Sequence, residues 1–384
     1  MELYAHRKIK CYFKNLVVQK PYYLNNTKKC VNQPYYLIIY RFNLSEYFLD
    51  FCAINKVIRL HGNYMSCTKV ISESRFFHQT LMRRFILSLT FTLFASLAFS
   101  QMEDFAGRRK INGTNLYFSV KGKGDYLLVI HGGPGLNHSY FKPYLKPLEN
   151  TFKVVYYDQR ACGKSSIPAS DSISLKFLVD DIEEIRKVLK TEKINLLAHS
   201  WGVVLAIRYA LQYPGRINKL ILSDPVMLSR EYDQEAAALV QKNSTREDSL
   251  ARAKIVSNGN LETKDYEELF LLSFKPSAYN RDNVAKIKLN LPNNFALASN
   301  ALFTGLMKDA SMNANLYDLL PSLKFPTLIV HGQADVIPSR SIQRLKEKLP
   351  GAKLEIFKQS GHFPFVEETI LYNEKVTAFL KAGR

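Results

Sequence analysis

Cysteine is scarce in the part of the sequence that shows a globular pattern. Four of the five cysteines lie before residue 82, and only Cys162 follows residue 100. That part of the chain therefore cannot form an internal disulfide. It also lacks a C-x-x-C motif or the Cys/His spacing of a metal site, so we expect no metal ion and no other cofactor.

Glycine is almost absent from residues 1–81, which hold one of the 17 glycines but nine of the 22 tyrosines. These residues show no sustained helix or strand period. We therefore expect residues 1–81 to be a non-native or disordered leader, with the natural start at Met82. The alternative is a genuine Cys/Tyr-rich extension of the protein.

No apolar run reaches the roughly 20 residues that span a bilayer. Residues 82–101 read MRRFILSLTFTLFASLAFSQ, in which two arginines precede an apolar run from Phe85 to Phe99, and the small residues Ala98 and Ser100 stand at positions minus three and minus one of the predicted cleavage site. This order predicts a secretory signal peptide at residues 82–100, and hence a periplasmic or secreted protein. Left uncleaved, the same segment would tether the chain to a membrane.

A basic run is also missing, although the net charge is +19. The residues after position 100 hold 39 basic and 30 acidic side chains, mixed along the chain without a recognisable nucleic-acid module. The motif CGKSS ends like a phosphate-binding loop, but Asp158 stands where that loop needs glycine. We therefore expect a small-molecule or short-peptide substrate, and neither nucleic acid nor a nucleotide as partner.

Strand-like and helical segments alternate from residue 111 onward. DYLLVIH, FKVVYYD, INLLAHS, NKLILSD and PTLIVHGQAD are strand-like, SLKFLVDDIEEIRKVLK has a helical apolar face, and FVEETILYNEKVTAFLKA is a predicted last helix. This alternation predicts an α/β fold, with a mostly parallel central sheet and helices on both faces.

The segment NLLAHSWGVVLAI, residues 195–207, places a polar triplet between a predicted strand and a predicted helix. A-H-S-W-G fits the G-x-S-x-G nucleophile elbow with Ala198 in the first position. In such an elbow a sharp turn exposes the serine hydroxyl above the edge of the sheet. Ser200 is therefore the predicted nucleophile.

A serine nucleophile needs a base, and the base needs an acid that orients it. In hydrolases of this topology the chain order is serine, then aspartate or glutamate, then histidine. His362, in the loop SGHFPF after the last predicted strand, is the predicted base. Asp335 is the predicted acid, with Asp224 in LSDPV as the second choice. We expect His199 and His331 to make structural hydrogen bonds.

The oxyanion of an acyl-transfer intermediate needs preorganised N–H donors. HGGPG, residues 131–135, follows a predicted strand, and its glycines let the backbone approach a substrate closely. We expect the N–H groups of Gly133 and of Trp201, the residue after the nucleophile, to form the oxyanion hole.

The motifs HGGPG, YYDQRACGKSS, AHSWG, HGQAD and SGHFPF together resemble the α/β-hydrolase fold, and specifically the proline iminopeptidase-like branch of serine hydrolases. The resemblance covers about residues 107–384. It implies a nucleophile at Ser200, an acid at Asp335 and a base at His362, which agrees with the choices from chain order.

The resemblance also implies a domain organisation. Residues 101–226 and 321–384 would form the α/β-hydrolase core, and residues 227–320 an inserted α-helical cap. Ala161 and Ala198 replace glycines that are common in this branch.

Aminopeptidases of this branch hold the free α-ammonium of the substrate with cap carboxylates, because an unpaired ammonium is costly to desolvate. In the late cap, residues 283–317 contain only one acid, Asp309. The early cap offers further candidates for binding the substrate: Glu231, Asp233, Glu235 and Glu268.

These observations predict a secreted or periplasmic serine hydrolase that cleaves an ester or amide bond through an acyl-enzyme. A prolyl aminopeptidase and a small-molecule carboxylesterase are the alternatives within this class. Ser200 argues against the related branches that attack alkyl halides or epoxides with an aspartate. A non-catalytic binding protein of the same fold is the alternative outside this class.

Overall fold

The structure is a computed structural model that describes residues 58–60, 63–65 and 102–383. The predicted signal peptide at residues 82–100, and the predicted leader apart from the two short stretches, lie outside the described residues. Within the described part, no helix combines the length and the apolar character needed to cross a membrane.

The chain divides into two units, residues 1–100 and 101–384, and the second holds every helix of the described residues. In the first unit, β1 (Ile58–Leu60) pairs antiparallel with β2 (Asn63–Met65).

An eight-stranded sheet runs through the second unit. Its strands are β3 (Phe105–Ile111), β4 (Thr114–Gly122), β5 (Tyr126–Ile130), β6 (Lys153–Tyr157), β7 (Ile194–His199), β8 (Ile217–Ser223), β9 (Thr327–Gly332) and β10 (Lys353–Phe357). Their spatial order is β10-β9-β8-β7-β5-β6-β4-β3. β4 pairs antiparallel with β3 and β6, and the other pairs are parallel. The loops that follow the parallel strands therefore meet at one edge of the sheet.

The central strands are apolar along their whole length because both faces of the sheet are covered. Every residue of β5, β6, β7 and β9 is buried. Along β5, Leu128 and Ile130 belong to one apolar cluster, and Leu127 and Val129 belong to the other. The sheet therefore separates two cores, and the predicted α/β architecture is confirmed.

β3 was not apparent from the sequence pattern, which alternates only from residue 111. Its sequence FAGRRKI is basic and largely exposed, and it pairs only with β4 at the edge of the sheet. A solvent-exposed edge strand needs no apolar alternation. Hydrophobic periodicity could therefore not reveal it.

Two helices lie between the strands of the first half of the sheet. α1 (Leu175–Val188) begins after Ser174, whose hydroxyl accepts an N–H of the first turn. Its predicted apolar face, including Leu178 and Ile182, is buried. α2 (Gly202–Gln212) follows the predicted elbow directly, and eight of its 11 residues are buried.

A helical insertion, residues 227–320, separates β8 from β9. Its helices are α3 (Asp233–Asn243), α4 (Arg246–Val256), α5 (Thr263–Phe274) and α6 (Phe295–Met307). These are the residues that the sequence assigns to a cap. No residue of α3 is buried, whereas Leu228 and Tyr232 just before it are buried in one of the apolar clusters.

Three helices follow the insertion. α7 (Ser339–Lys348) precedes β10, and α8 (Pro364–Glu367) and α9 (Thr369–Lys381) follow it. The prediction of one continuous last helix is wrong, because Glu368 leaves the helical conformation with φ −123° and ψ 52°. Its carboxylate accepts the Gln359 N–H at 2.9 Å and the Ser360 hydroxyl at 2.7 Å. These tertiary bonds override the helical pattern.

Candidate active site

Ser200 lies on the tight turn between β7 and α2, with a left-handed φ of 54°. Its N–H donates to the Ser223 carbonyl at 3.0 Å. A Cβ placed on Gly202 would lie 2.5 Å from the carbonyl oxygen of Ile130, the last residue of β5. The start of α2 therefore passes too close to the end of β5 for a side chain at this position. A nucleophile elbow has this geometry, with a strained non-glycine residue on a sharp turn between a strand and a helix.

His362 lies in the loop between β10 and α8, and its ring joins Ser200 to Asp335. Nε2 lies 2.9 Å from Ser200 Oγ, and Nδ1 lies 2.7 Å from Asp335 Oδ2. The Asp335 side chain is fully buried just after β9. The structure thus brings together the three side chains that the sequence selects as nucleophile, base and acid.

The surroundings of His362 favour its charged form. Burial lowers the pKa of the ring, because the imidazolium loses solvation. The charge and hydrogen bond of Asp335 raise that pKa, the charge of Asp224 adds to them, and the net pKa lies above the ordinary 6.5. The ring is therefore suited to accept a proton from a hydroxyl at Nε2.

The HGGPG loop lies beside Ser200, since a Cβ on Gly132 would be 3.0 Å from Ser200 Cβ. Gly132 donates its N–H to the Tyr140 hydroxyl at 2.6 Å, so that group is occupied. Gly133 has a φ of 124°, which side chains rarely adopt. Among the described residues, neither the Gly133 nor the Trp201 N–H donates a hydrogen bond. The two predicted oxyanion donors are therefore unoccupied.

A family model for the alpha/beta hydrolase fold matches residues 125–369, more than half of the chain. This chain belongs to the alpha/beta hydrolase fold family. It is 29% identical over 294 residues to the proline iminopeptidase of Saccharolobus solfataricus, covering 71% of this chain and 91% of that protein. It is 31% identical over 270 residues to the proline iminopeptidase of Lactobacillus delbrueckii subsp. bulgaricus, covering 66% and 89%.

Solved structures share the fold of this alpha/beta hydrolase. A proline iminopeptidase-related protein from Thermus thermophilus has a TM-score of 0.56 at 21% identity, covering 73% of this chain and 98% of that one. An esterase from Exiguobacterium antarcticum has a TM-score of 0.53 at 23% identity, covering 72% and 100%. The predicted fold class, the proline iminopeptidase-like resemblance and the assignment as a hydrolase are confirmed.

Asp224, the second-choice acid of this alpha/beta hydrolase, is fully buried after β8. Its Oδ1 accepts the Gly332 N–H at 2.9 Å, and its Oδ2 accepts the Ser223 hydroxyl at 3.1 Å. Burial, and then the charge of Asp335, raise the pKa of Asp224 well above its usual range. The hydrogen-bond partner of His362 Nδ1 is Asp335, and Asp224 acts on the ring through its charge.

Asp224, His331 and Asp335 are the one set of potential metal ligands in the described residues, with ligand atoms within 4.8 Å of one another. His331 Nδ1 is buried without a hydrogen bond, 3.7 Å from Asp224 Oδ1 and 4.0 Å from Asp335 Oδ2. Asp335 Oδ2 is the atom that binds His362, so a cation here would compete with the base. The arrangement suits an orienting acid better than a metal centre, and the absence of a cofactor stays a prediction.

Two of the predicted substrate-binding acids are engaged elsewhere. Glu231 forms an ion pair with Arg344, and Glu235 forms one with Arg340 at 2.6 Å, both on α7. These ion pairs fasten the start of the insertion to the hydrolase core. In the described part of the chain, neither glutamate contacts the Ser200 site.

Glu268 is exposed on α5, on the side opposite to the aromatic contacts of that helix. Tyr266 and Phe270 pack on Phe295, with ring centroids 5.2 and 5.8 Å apart. Glu268 lies two residues from each, about 200° around the helix. Glu267, which the sequence analysis did not single out, is half-buried and accepts a backbone N–H from the segment before α6 at 2.6 Å. Among consecutive acids, the sequence gives no sign of which one faces inward.

A buried chain of hydrogen bonds connects the HGGPG loop to the His362 loop. The Gly132 N–H donates to Tyr140, the Tyr140 hydroxyl donates to His199 Nδ1 at 2.9 Å, and His199 Nε2 donates to the His362 carbonyl at 2.8 Å. Burial, and then the neighbouring His362, lower the pKa of His199 well below its usual value, so the ring stays neutral. His199 thus makes structural hydrogen bonds as expected, whereas nothing in the sequence marked Tyr140.

The two alanines that replace family glycines differ in their consequences. Ala161 has a φ of 60°, in the left-handed region that favours glycine, at a cost of about 1 kcal/mol. Ala198 lies inside β7, paired with Ile130 and Leu222 on the neighbouring strands. Regular strand geometry suits alanine, so the elbow does not need glycine at its first position.

Proposed function

We propose that this chain is a serine hydrolase that cleaves an ester or amide bond through an acyl-enzyme on Ser200. The hydrogen-bonded path from Ser200 Oγ through the His362 ring to Asp335 carries the proposal. Each group in this path has the partner that its role requires.

In the first half of the reaction, Ser200 Oγ attacks the substrate carbonyl carbon while His362 Nε2 accepts the hydroxyl proton. The N–H groups of Gly133 and Trp201 stabilise the oxyanion of the tetrahedral intermediate. The intermediate collapses when the leaving alcohol or amine takes the proton from His362. Asp335 keeps Nδ1 protonated and stabilises the imidazolium.

In the second half, a water molecule attacks the acyl carbon and gives a proton to His362 Nε2. The second tetrahedral intermediate uses the same two N–H donors. Its collapse releases the carboxylic acid and returns the proton to Ser200 Oγ, so the enzyme is regenerated.

Two substrate classes fit this chemistry, and a different observation supports each. The relatives named proline iminopeptidases support an N-terminal proline residue as substrate. The ion pairs of Glu231 and Glu235 support small-molecule carboxylic esters, because carboxylates already paired with arginine are not available to an α-ammonium.

Glu267 is our candidate among the insertion carboxylates for binding a substrate ammonium, because its hydrogen bond at 2.6 Å is to the Leu291 N–H and not to an arginine. It lies on α5 beside the aromatic side chains that pack on Phe295. Phe295 in turn reaches the oxyanion loop, since its Cε2 lies 3.9 Å from a Cβ built on Gly135.

Steady-state kinetics with a prolyl arylamide and with short acyl esters would separate the two classes. Glu267→Gln should lower arylamide turnover at least about 10-fold and spare ester turnover if an ammonium is bound there. Glu268→Gln, at the neighbouring exposed position, is the control and should leave both activities unchanged. If the wild-type protein turns over esters but no prolyl arylamide, the prolyl aminopeptidase is excluded and the carboxylesterase remains.

Reactivity toward a fluorophosphonate probe tests the proposal itself. We expect the wild-type protein to be labelled and Ser200→Ala to remain unlabelled. A folded wild-type protein that is not labelled would leave the non-catalytic binding protein as the alternative.

We also propose that residues 82–100 direct the protein to the periplasm or the exterior. The apolar run behind two arginines supports this proposal. Sequencing the N-terminus of the protein isolated from its source should find a start after residue 100. A start before Met82 would contradict it.

A further inference from the structure

The loop that carries His362 is held directly by the helical insertion. The His362 N–H donates to the Ser277 carbonyl of the insertion at 2.7 Å. A Cβ on Gly361 would lie 1.8 Å from that same carbonyl oxygen, so the two backbones are in close contact. The position of the imidazole therefore depends on the position of residues 275–283.

Glu367, at the end of α8, binds both segments at once. Its Oε2 accepts the Gly361 N–H at 2.7 Å, one residue before the predicted base. Its Oε1 accepts the Asn280 N–H at 2.9 Å and lies 3.4 Å from Asn283 Nδ2. Oε2 thus binds the His362 loop and lies 3.5 Å from the Tyr279 N of the insertion, while Oε1 binds the insertion alone.

The insertion side of this junction is braced by α3 and α4. Arg281 forms an ion pair with Asp248, and Lys275 lies 3.4 Å from the same carboxylate. Asn243 Nδ2 donates to the Pro276 carbonyl at 2.9 Å. A displacement of α3 and α4 would therefore reach the His362 loop through residues 275–283.

We propose that Glu367 is a positioning residue that couples the helical insertion to the placement of the His362 imidazole. The inference rests on the proposed role of His362 as base. The bonds of Glu367 to the Gly361 and Asn280 N–H groups are charge-assisted, and such bonds are stronger than neutral ones. Because misplacing a catalytic group by about 1 Å can cost about 100-fold in rate, a bond that fixes this loop controls turnover.

Glu367→Gln tests the coupling, because an amide has a single acceptor oxygen and must turn its NH2 toward either the Gly361 N–H or the Asn280 N–H. We expect both kcat on an ester and the labelling rate of Ser200 by a fluorophosphonate to fall at least about 10-fold, with KM changed less than about 3-fold. The matched control is Glu374→Gln, an exposed glutamate on α9, which should behave as wild type.

A second variant perturbs the junction from its far end. Asp248→Asn weakens the brace of Arg281 and Lys275 and leaves Glu367 in place. Asp248→Asn should also slow the labelling of Ser200, by about 3-fold. In the double variant, its effect should not add to that of Glu367→Gln.

The outcomes separate this inference from the proposed function. Folded Glu367→Gln with wild-type kcat and labelling rate would overturn it, even with a lower melting temperature, since the residue would then be merely structural. Should Glu367→Gln not fold, wild-type labelling of Asp248→Asn would overturn it. Failure of the wild type to be labelled would instead count against the proposed function.

Discussion

Two buried aspartates lie near the base, and they differ in the atoms they bind. Asp335 accepts the Nδ1–H of His362, whereas Asp224 accepts the Gly332 N–H and the Ser223 hydroxyl. Two negative charges so close together in a buried site are unfavourable. Burial, and then the charge of Asp335, raise the pKa of Asp224 well above its usual range, and Asp335 is the carboxyl group that binds the ring.

Asp335→Asn should therefore lower kcat by about 10⁴-fold, because an asparagine favours the wrong tautomer of His362. Asp224→Asn keeps the shape of a side chain that binds Gly332 and Ser223 and does not bind the ring, so it should change kcat by less than about 10-fold. Turnover of an ester by both variants checks this. A larger loss in Asp224→Asn would identify that residue as the acid.

Tyr140 lies outside the candidate triad and connects the HGGPG loop, through His199, to the His362 loop. Tyr140→Phe would leave the Gly132 N–H and His199 Nδ1 buried without partners. We expect the free energy of unfolding to fall by about 1–3 kcal/mol and the labelling of Ser200 to slow. Urea unfolding and the labelling rate measure the two effects. Labelling at the wild-type rate would show that the hydroxyl supports the fold only.

At the scale of secondary-structure elements, the strand-to-helix contact at the elbow has almost no spare room. A Cβ on Gly202 would meet the carbonyl oxygens of Ile130 at 2.5 Å and His131 at 2.7 Å. Both oxygens belong to backbone that leads into the oxyanion loop. The close contact at Gly202 therefore fixes both the turn that carries Ser200 and the backbone that leads to Gly133.

Gly202→Ala should push α2 away from β5 and destabilise the protein by about 1–3 kcal/mol. The matched control is Gly215→Ala, at a position where an added Cβ meets nothing within 4 Å. The control should be neutral or slightly stabilising. Thermal unfolding of both variants is the measurement, and equal melting temperatures would contradict the tight contact.

The buried strands and the three triad residues could be predicted from the sequence. β7 and β9 are readable because a buried parallel strand is apolar throughout. Ser200, Asp335 and His362 could be selected because each follows a recognisable strand, and parallel strand ends share one edge of the sheet.

Contacts between distant segments are not readable in the same way. The break at Glu368 and the placement of Glu367 both depend on the His362 loop and the insertion, which meet only in the folded chain. β3 escaped prediction because an exposed edge needs no apolar pattern. The orientation of Glu267 and Glu268 likewise depends on what packs against α5.

At the scale of the whole molecule, residues 101–384 hold the eight-stranded sheet, both apolar clusters and the candidate triad. A chain of residues 101–384 alone should therefore fold and label at the rate of the full chain. Purification of the two chains and comparison of melting temperature and labelling rate check this. Loss of folding in the shorter chain would show that residues 1–100 belong to the structure.

The pKa of His362 depends on its burial and on two aspartates that follow different strands. Asp335 follows β9, Asp224 follows β8, and both raise the pKa of His362, while burial lowers it. The base works only when its ring is neutral, so activity is present at high pH and is lost as pH falls through the pKa of His362.

The half-maximal point of the pH profile should therefore lie above pH 6.5, the ordinary value for histidine. Asp335→Asn removes the larger of the two raising charges and its hydrogen bond, so burial dominates and the half-maximal point should move to lower pH. The residual labelling rate of this variant between about pH 5 and pH 9, set against wild type, measures the shift. An unchanged half-maximal point would mean that the charge of Asp335 does not act on the ring that activates Ser200.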